Sequence, residues 1–453
     1  MIFFEVPVQA RTQTTLDYQD RIHPEISSEF MVVTQNEHAT EAGYSILKKG
    51  GNAVDAAVAV GFALAVTLPR AGNIGGGGFI LIYNEKKDKV FSIDYRSAAP
   101  KSSTSDLFLN GDKVVRFGHL VNAVPGSVAG LLKAHDDHGT LPISELLQPA
   151  IRLAREGFEV SYDLNFVLDW GRESMVVNEA SKRKFYESDE EPIKVKSNFK
   201  QPNLAKTLQK ISEQGKDVFY QGEIAKWISD ESLSNGGLIT LEDMASYRAK
   251  DRDVIETFYR GYRIVSMPPS ASGGLVLLQT LNILENFNLK SFGHNSAKTI
   301  HLLSEAMQRA YADRAEYHGD PDFYEVPVKA LLSKKYSLKL SKEISENRTP
   351  DGQIFEGDLK KYDESPDTTH FSIIDAEGNA VSNTYTLGSS FGSGVTIKKG
   401  GFLMNNQMRN FSHFYGQEDA EYGDSEANRL QPGKRMISTQ TPTLVFKPNG
   451  ELM

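Results

Sequence analysis

The stretch Asp367-Thr-Thr-His-Phe-Ser-Ile-Ile-Asp-Ala-Glu-Gly-Asn-Ala-Val-Ser-Asn-Thr-Tyr-Thr386 reads as two β-strands joined by a turn. Asp375-Ala-Glu-Gly378 supplies the turn chemistry, and β-branched and aromatic residues fill the flanks. Pairing Ile374 with Asn379 sets Thr368 against Tyr385 and Thr386, within reach of a hydroxyl hydrogen bond. A threonine hydroxyl has no base in its own side chain. An N-terminal threonine carries one in its α-amine, whose pKa near ~8 suits neutral pH. Cleavage between Asp367 and Thr368 would create that group. Spacing alone favours the plainer reading of two ordinary strand threonines.

Outward from this hairpin, further β-runs are expected at 401–405 and 441–446, joined by Gly-, Asn- and Asp-rich turns. Upstream, helical periodicity covers 125–138, 143–156, 203–213, 222–230, 273–286 and 296–317, with strands near 254–258 and 261–267. The charged segment 171–200 is expected to be an exposed excursion. Nearer the start, His38–Lys49 predicts a helix stopped by Gly50-Gly51. Asn52 caps a second, Ala/Val-rich helix over 53–66 that Pro69 closes. The Gly-rich stretch 72–78 then leads into strands at 79–83 and 90–95. No internal repeat is present. Helices followed by a strand-rich last quarter predict an α+β layered domain, helices covering antiparallel sheet. At the end, Lys447-Pro-Asn-Gly450 is a turn and Glu451-Leu-Met453 starts a strand, half a hairpin that suggests a chain stopping short.

With 453 residues the chain can bury a full core. Fifty basic against fifty-nine acidic side chains give a net charge of −9 with no run of five like charges, which argues against a nucleic-acid partner. Zero cysteines exclude disulfides, thiolate metal sites and a cysteine nucleophile. The opening Met1–Phe4 run is too short for a secretory signal, which points to a cytoplasmic location. The apolar run 53–68 is too short for a bilayer, so no membrane partner is expected.

Other motifs fit less well. Gly72–Gly78 precedes a strand and follows a helix, the reverse of a phosphate cradle, and reads as backbone passing close to something, such as a substrate. Ser45-Ile-Leu-Lys48 and Ser181-Lys-Arg-Lys184 match Ser-x-x-Lys without a Lys-Thr-Gly partner. His135 and His138, and the group Asp313, Glu316, His318, Asp320 and Asp322, lack metal-ligand spacing. No metal and no cofactor are expected.

The chain resembles the gamma-glutamyltranspeptidase family of N-terminal-nucleophile hydrolases from about Met31 onward. The motifs, in order, are Gly51-Asn-Ala-Val-Asp-Ala-Ala57, Gly75-Gly-Gly-Gly-Phe79, Asp94-Tyr-Arg96, Pro268-Pro-Ser-Ala-Ser-Gly-Gly274, Tyr311-Ala-Asp-Arg314 with Gly319-Asp-Pro-Asp322, Asp367-Thr-Thr-His370, Thr384-Tyr-Thr386, Asn405-Asn-Gln-Met408 and Ser438-Thr439. The resemblance implies a four-layer αββα sandwich. It also implies self-cleavage between Asp367 and Thr368 into a large-subunit region, 1–367, and a small-subunit region, 368–453, which stay associated. Thr368 would be the nucleophile and base, and Thr386 its orienting partner. Arg96 would grip the substrate's α-carboxylate with Ser438 and Thr439, and Gln407 would accept from the α-amine. The loop 412–430 falls where the family has a lid.

Three positions depart from the family pattern. Gly388 replaces an Asn and Asn410 replaces an Asp, both partners of the substrate's ammonium, unless Glu418, Asp419 or Glu421 supplies a carboxylate instead. The Gly-Gly oxyanion hole would lie beyond Met453. The implied activity is an amidohydrolase/acyltransferase that takes γ-glutamyl amides such as glutathione and passes the acyl group to water or an amine. A cephalosporin-acylase-like glutaryl amidase, an uncleaved binding or structural relative, and a Ser-x-x-Lys hydrolase are the alternatives.

Overall fold

A computed structural model describes residues 26–110, 113–187, 190–350, 353–354, 368–412 and 425–453. Among the described residues thirteen strands occur in chain order: β1 Met31–Val33, β2 Gly77–Asn84, β3 Lys89–Asp94, β4 Leu109–Asn110, β5 Lys113–Val114, β6 Phe158–Glu159, β7 Asn198–Phe199, β8 Lys250–Arg252, β9 Ile255–Tyr259, β10 Tyr262–Ser266, β11 Thr369–Ile374, β12 Ala380–Thr386 and β13 Thr443–Phe446. Six form an antiparallel sheet in the order β1-β11-β12-β2-β3-β8, and three form a second in the order β13-β10-β9.

The side-chain alternation of β2 shows the layering. Phe79, Leu81 and Tyr83 pack with Val265, Met267, Leu444 and Phe446 between the two sheets. Ile80 and Ile82 point the other way, into the main core around the helix Ala53–Thr67. Beyond the second sheet, Ile264 packs on Leu275 and Leu278 of the helix Ser272–Leu284. The molecule is therefore a helix, sheet, sheet, helix sandwich, as the resemblance implies. Among the described residues no helix is long and apolar enough to cross a membrane.

Ala53–Thr67 lies at the centre because it is apolar all round and entirely buried. It starts at a capping box in which Asn52 and Asp55 satisfy each other's backbone N–H. The β11–β12 hairpin grips it at two points: Asp375 Oδ2 accepts from Ala53 N at 2.9 Å, and Tyr385 OH donates to Gly61 O at 2.7 Å.

Four expectations need correction. The hairpin pairs Ile374 with Ala380, one residue later than Asn379, because Asp375 N closes the turn on Asn379 O. Residues 401–405 form no ladder strand; Leu403 makes a single bridge to Thr396. Segment 171–200 is no exposed excursion, since Met175, Phe185, Tyr186 and Phe199 belong to the main core. The glycines of 75–78 face the chain's own backbone. A Cβ at Gly75 would stand 2.0 Å from Leu403 O, and one at Gly76 2.2 Å from Thr386 O. They allow β2 and its approach to pass tightly beside β12. The terminal half-hairpin is present, with Lys447 N donating to Glu451 O and Met453 N to Val445 O.

Candidate functional site

One cavity of about 330 Å³ opens where β12 ends, lined by Arg96, Arg314, Thr368, Thr384, Thr386, Gly388, Arg409, Asn410 and residues 437–441. Of the residues expected at the site, Thr368, Thr386, Arg96, Asn410, Ser438 and Thr439 are all on its wall. Gln407 sits just behind, fully buried, its Nε2 donating to Thr386 O at 2.7 Å while its Oε1 has no hydrogen-bond partner among the described residues. Asp367, Glu418, Asp419, Glu421 and most of the expected lid lie outside the described residues.

The sheet register places the two threonines. Thr369 pairs with Tyr385, so Thr368 follows on opposite Thr386. Thr386 Oγ1 accepts from Gly388 N at 3.0 Å, which orients that hydroxyl beside the hairpin. Odd-numbered β12 residues face the helices, so Thr384 and Thr386 share the cavity side. Next along that face, His370 Nδ1 lies 2.8 Å from Thr384 Oγ1.

The opposite wall is a strap, residues 436–441, held by three of the sequence motifs. Arg96, 1% exposed, donates from Nε to Met436 O at 3.4 Å and from Nη2 to Ile437 O at 3.3 Å. Ser272 N and Oγ both donate to Ser438 O, at 2.7 and 3.0 Å. Arg314 Nε donates to Ser272 Oγ at 2.9 Å, and its Nη2 to Thr439 Oγ1 at 3.4 Å. Gly273 is required because a Cβ there would stand 2.3 Å from Thr439 O.

The other candidate groups are structural. Ser45 Oγ donates to Ala42 O within its helix, and Ser181 Oγ is buried against Gly394 O. Asp320 and the more exposed Asp322 join Asp94, Arg252 and Arg435 in a partly buried ion network, where hydrogen bonding from Arg252 holds the Asp322 carboxyl well below the usual range. Among the described residues no three His, Cys, Asp or Glu side chains converge as a metal site.

Arg314, Arg409 and Gln440 received no role from sequence. Arg314 stands in a quoted motif, but nothing in its spacing tells that it reaches the strap. Arg409 sits on the single 3-10 turn Gln407–Asn410 and Gln440 on the irregular strap, both too short to carry a periodic signal. Together the lining holds three guanidinium groups and, among the described residues, no carboxylate.

A threonine at the head of a central strand, facing a cavity at the end of an αββα sandwich, is the arrangement of the N-terminal-nucleophile hydrolases. The family model for gamma-glutamyltranspeptidase matches residues 39–453. A glutathione hydrolase proenzyme of Escherichia coli (strain K12) is 46% identical over 438 residues, covering 95% of this chain and 75% of that relative. Among solved structures, a cephalosporin acylase from Bacillus halodurans superposes with a TM-score of 0.81 at 29% identity, covering 97% of this chain and 80% of the other. Helicobacter pylori gamma-glutamyltranspeptidase gives 0.71 at 41% identity, covering 73% and 97%. The chain belongs to the gamma-glutamyltranspeptidase family. It is an enzyme of amide hydrolysis and acyl transfer.

Proposed function

We propose that the enzyme cuts its own chain between Asp367 and Thr368 and then uses Thr368 to take the acyl group of γ-glutamyl amides such as glutathione. The observation that carries this reading is Thr368 at the head of β11, across from Thr386 and on the wall of the cavity. In the first event the Thr368 hydroxyl attacks the Asp367 carbonyl, the acyl group shifts from nitrogen to oxygen, and water opens the ester. This frees the α-amine of Thr368.

In turnover the same oxygen attacks the substrate's amide carbonyl while the α-amine takes its proton. The tetrahedral intermediate collapses, the amine passes the proton to the departing nitrogen, and an acyl ester remains on Thr368. Water or an acceptor amine, deprotonated by the same group, releases the acyl product. Arg96, Ser438 and Thr439 hold the donor's carboxylate, where a guanidinium fork suits two oxygens. Gln407 Oε1, an acceptor without a partner, takes a proton of the donor's amine.

Intact mass tests this: the purified protein should contain a piece beginning at Thr368, and Thr368→Ala should leave one chain and no turnover. A single uncleaved chain that hydrolyses γ-glutamyl amides overturns the nucleophile assignment. A single uncleaved chain without turnover returns the protein to the non-catalytic reading.

A second reading, a glutaryl amidase, is favoured by one observation. Where the family pattern places groups for the donor's ammonium, this cavity offers the neutral Asn410 and no side chain at Gly388, against three guanidinium groups. An acyl group lacking the amine fits that charge balance.

A further inference from the structure

A separate cavity of about 570 Å³ shares no lining residue with the catalytic one. The helix Glu223–Ser234 forms part of its wall. On that helix Ile224, Ala225, Ile228 and Ser232 are buried, while Trp227, Asp230, Glu231 and Ser234, at i, i+3, i+4 and i+7, line the cavity along one face. The segment 393–399 adds Lys398 and Lys399, both exposed, and Val177 adds an exposed apolar side chain.

Two of the acidic groups here are already paired, Asp230 with Lys226 at 3.0 Å and Glu179 with Arg183 at 2.6 Å. Glu231 and Lys398 differ. Glu231 Oε2 accepts from the backbone N of Lys398 at 2.9 Å, yet among the described residues neither the carboxylate nor the lysine's ammonium forms an ion pair, and Lys399 has none either. Glu231 Oε1 accepts no hydrogen bond there and stays accessible. Partial burial raises the Glu231 carboxyl above its ordinary value, since a carboxylate held partly out of water without counter-charge costs free energy. The backbone contact fixes Lys398 beside Glu231 while the side chain carries the ammonium off, so two open charges of opposite sign stand apart in one cavity.

A plain cation would meet the two lysines, and a plain anion would meet Glu231 and Asp230. A small zwitterion satisfies both signs at once. We propose that this cavity binds a free α-amino acid with an apolar side chain: Glu231 takes its ammonium, Lys398 and Lys399 its carboxylate, and Trp227 with Val177 its side chain. Mostly apolar walls with a few placed charges are what such a site needs. No covalent step occurs there, and the site does not depend on the γ-glutamyl reading above.

Trp227 reports on the site. The chain has two tryptophans, and Trp170 is exposed and lines neither cavity, so Trp170→Phe leaves Trp227 as the single indole. Excited where phenylalanine does not absorb, that protein should change its emission saturably as L-phenylalanine is added, and a flat titration to about 10 mM overturns the proposal. N-acetyl-L-phenylalanine and phenethylamine each lack one charge and should bind about tenfold more weakly. Equal binding of either overturns the zwitterion assignment. Glu231→Gln should weaken L-phenylalanine about tenfold while leaving kcat/KM for γ-glutamyl-p-nitroanilide within about twofold. Unchanged affinity in that variant would place the amino acid elsewhere, the catalytic cavity included, and overturns the site. Should Glu231→Gln fail to fold, Lys398→Met, altered at an exposed side chain, carries the same test from the carboxylate end.

Discussion

At the scale of single residues, the proposed donor turns on Asn410 and Gly388, the two neutral positions where the family resemblance implies partners for its ammonium. Asn410 lies on the cavity wall with its backbone O tied to Asn428 Nδ2 at 2.7 Å, so its side chain is positioned by a fixed backbone. Exchanging a charge-assisted hydrogen bond for a neutral one loses roughly 1–2 kcal/mol, and a missing partner at Gly388 about another 1. Discrimination for the donor's amine should fall by one to two decades. A glutaryl amide is then expected to turn over with kcat/KM within about tenfold of its γ-glutamyl counterpart. Asn410→Asp should move preference back toward γ-glutamyl. A γ-glutamyl preference above roughly a hundredfold with Asn410 in place would mean that a carboxylate has been rebuilt from elsewhere. The same reversal should not be sought through Gly388→Asn. Gly388 has φ +105°, and a Cβ there would stand 2.2 Å from Asn406 Oδ1, so a side chain strains the loop before it reaches any substrate.

At the scale of elements, the turn of the hairpin does more than reverse the chain. Asp375 is buried. Its Oδ1 accepts from Glu377 N and Asn379 N, and its Oδ2 from Asn379 Nδ2 and Ala53 N, the last at the N-terminus of the central helix. A carboxylate there complements the helix dipole as well as four donors. Asp375→Ala should destabilise the protein by about 2–4 kcal/mol, read as a shift in the denaturant midpoint. A shift under about 0.5 kcal/mol would show that other contacts hold the hairpin on the helix. This element also marks how far the sequence could be read. Both strands, the central helix with its Asn52 cap and the meeting of Thr368 with Thr386 follow from alternation and turn chemistry. The one-residue register error arose because Asp375 closes a longer loop than its Asp-Ala-Glu-Gly core suggests. The Gly-rich stretch could be read as close approach, but its neighbour could not, because Leu403 and Thr386 lie more than 300 residues away and only tertiary packing brings them together. The strap's grip by Arg314 and Ser272 was hidden for the same reason.

At the scale of the whole molecule, burial and interleaving set how it responds to acid and to being cut. His318 is 1% exposed with neither ring nitrogen hydrogen-bonded among the described residues, and burial lowers its imidazole to about 3. Its folded pKa lies below the unfolded value of ~6.5, so the unfolded state binds the extra proton. The stability it contributes is complete above that value and is lost as pH falls toward about 3. Between roughly pH 6.5 and 5.5 the loss should be about 1 kcal/mol, and His318→Phe should flatten that part of the curve. An unchanged slope in the variant would assign the acid sensitivity to other groups. Cutting before Thr368 raises a different question, since it would separate 367 residues from the remaining 86 of the 453. The shorter piece is not a domain beside the longer one. Its β11 and β12 lie between β1 and β2 in the large sheet, and its β13 pairs with β10 in the small one. Removing it would break three strand pairings and open the core between the sheets, where Leu444 and Phe446 pack on Phe79 and Tyr83. That contact is apolar and strand-paired, so salt screening has little to act on. Cleaved protein should therefore run as one peak containing both pieces on gel filtration in roughly 1 M salt, and separate only where a denaturing gel unfolds it. Two peaks under native conditions would mean that the cut pieces are held by surface charge rather than by the shared sheets.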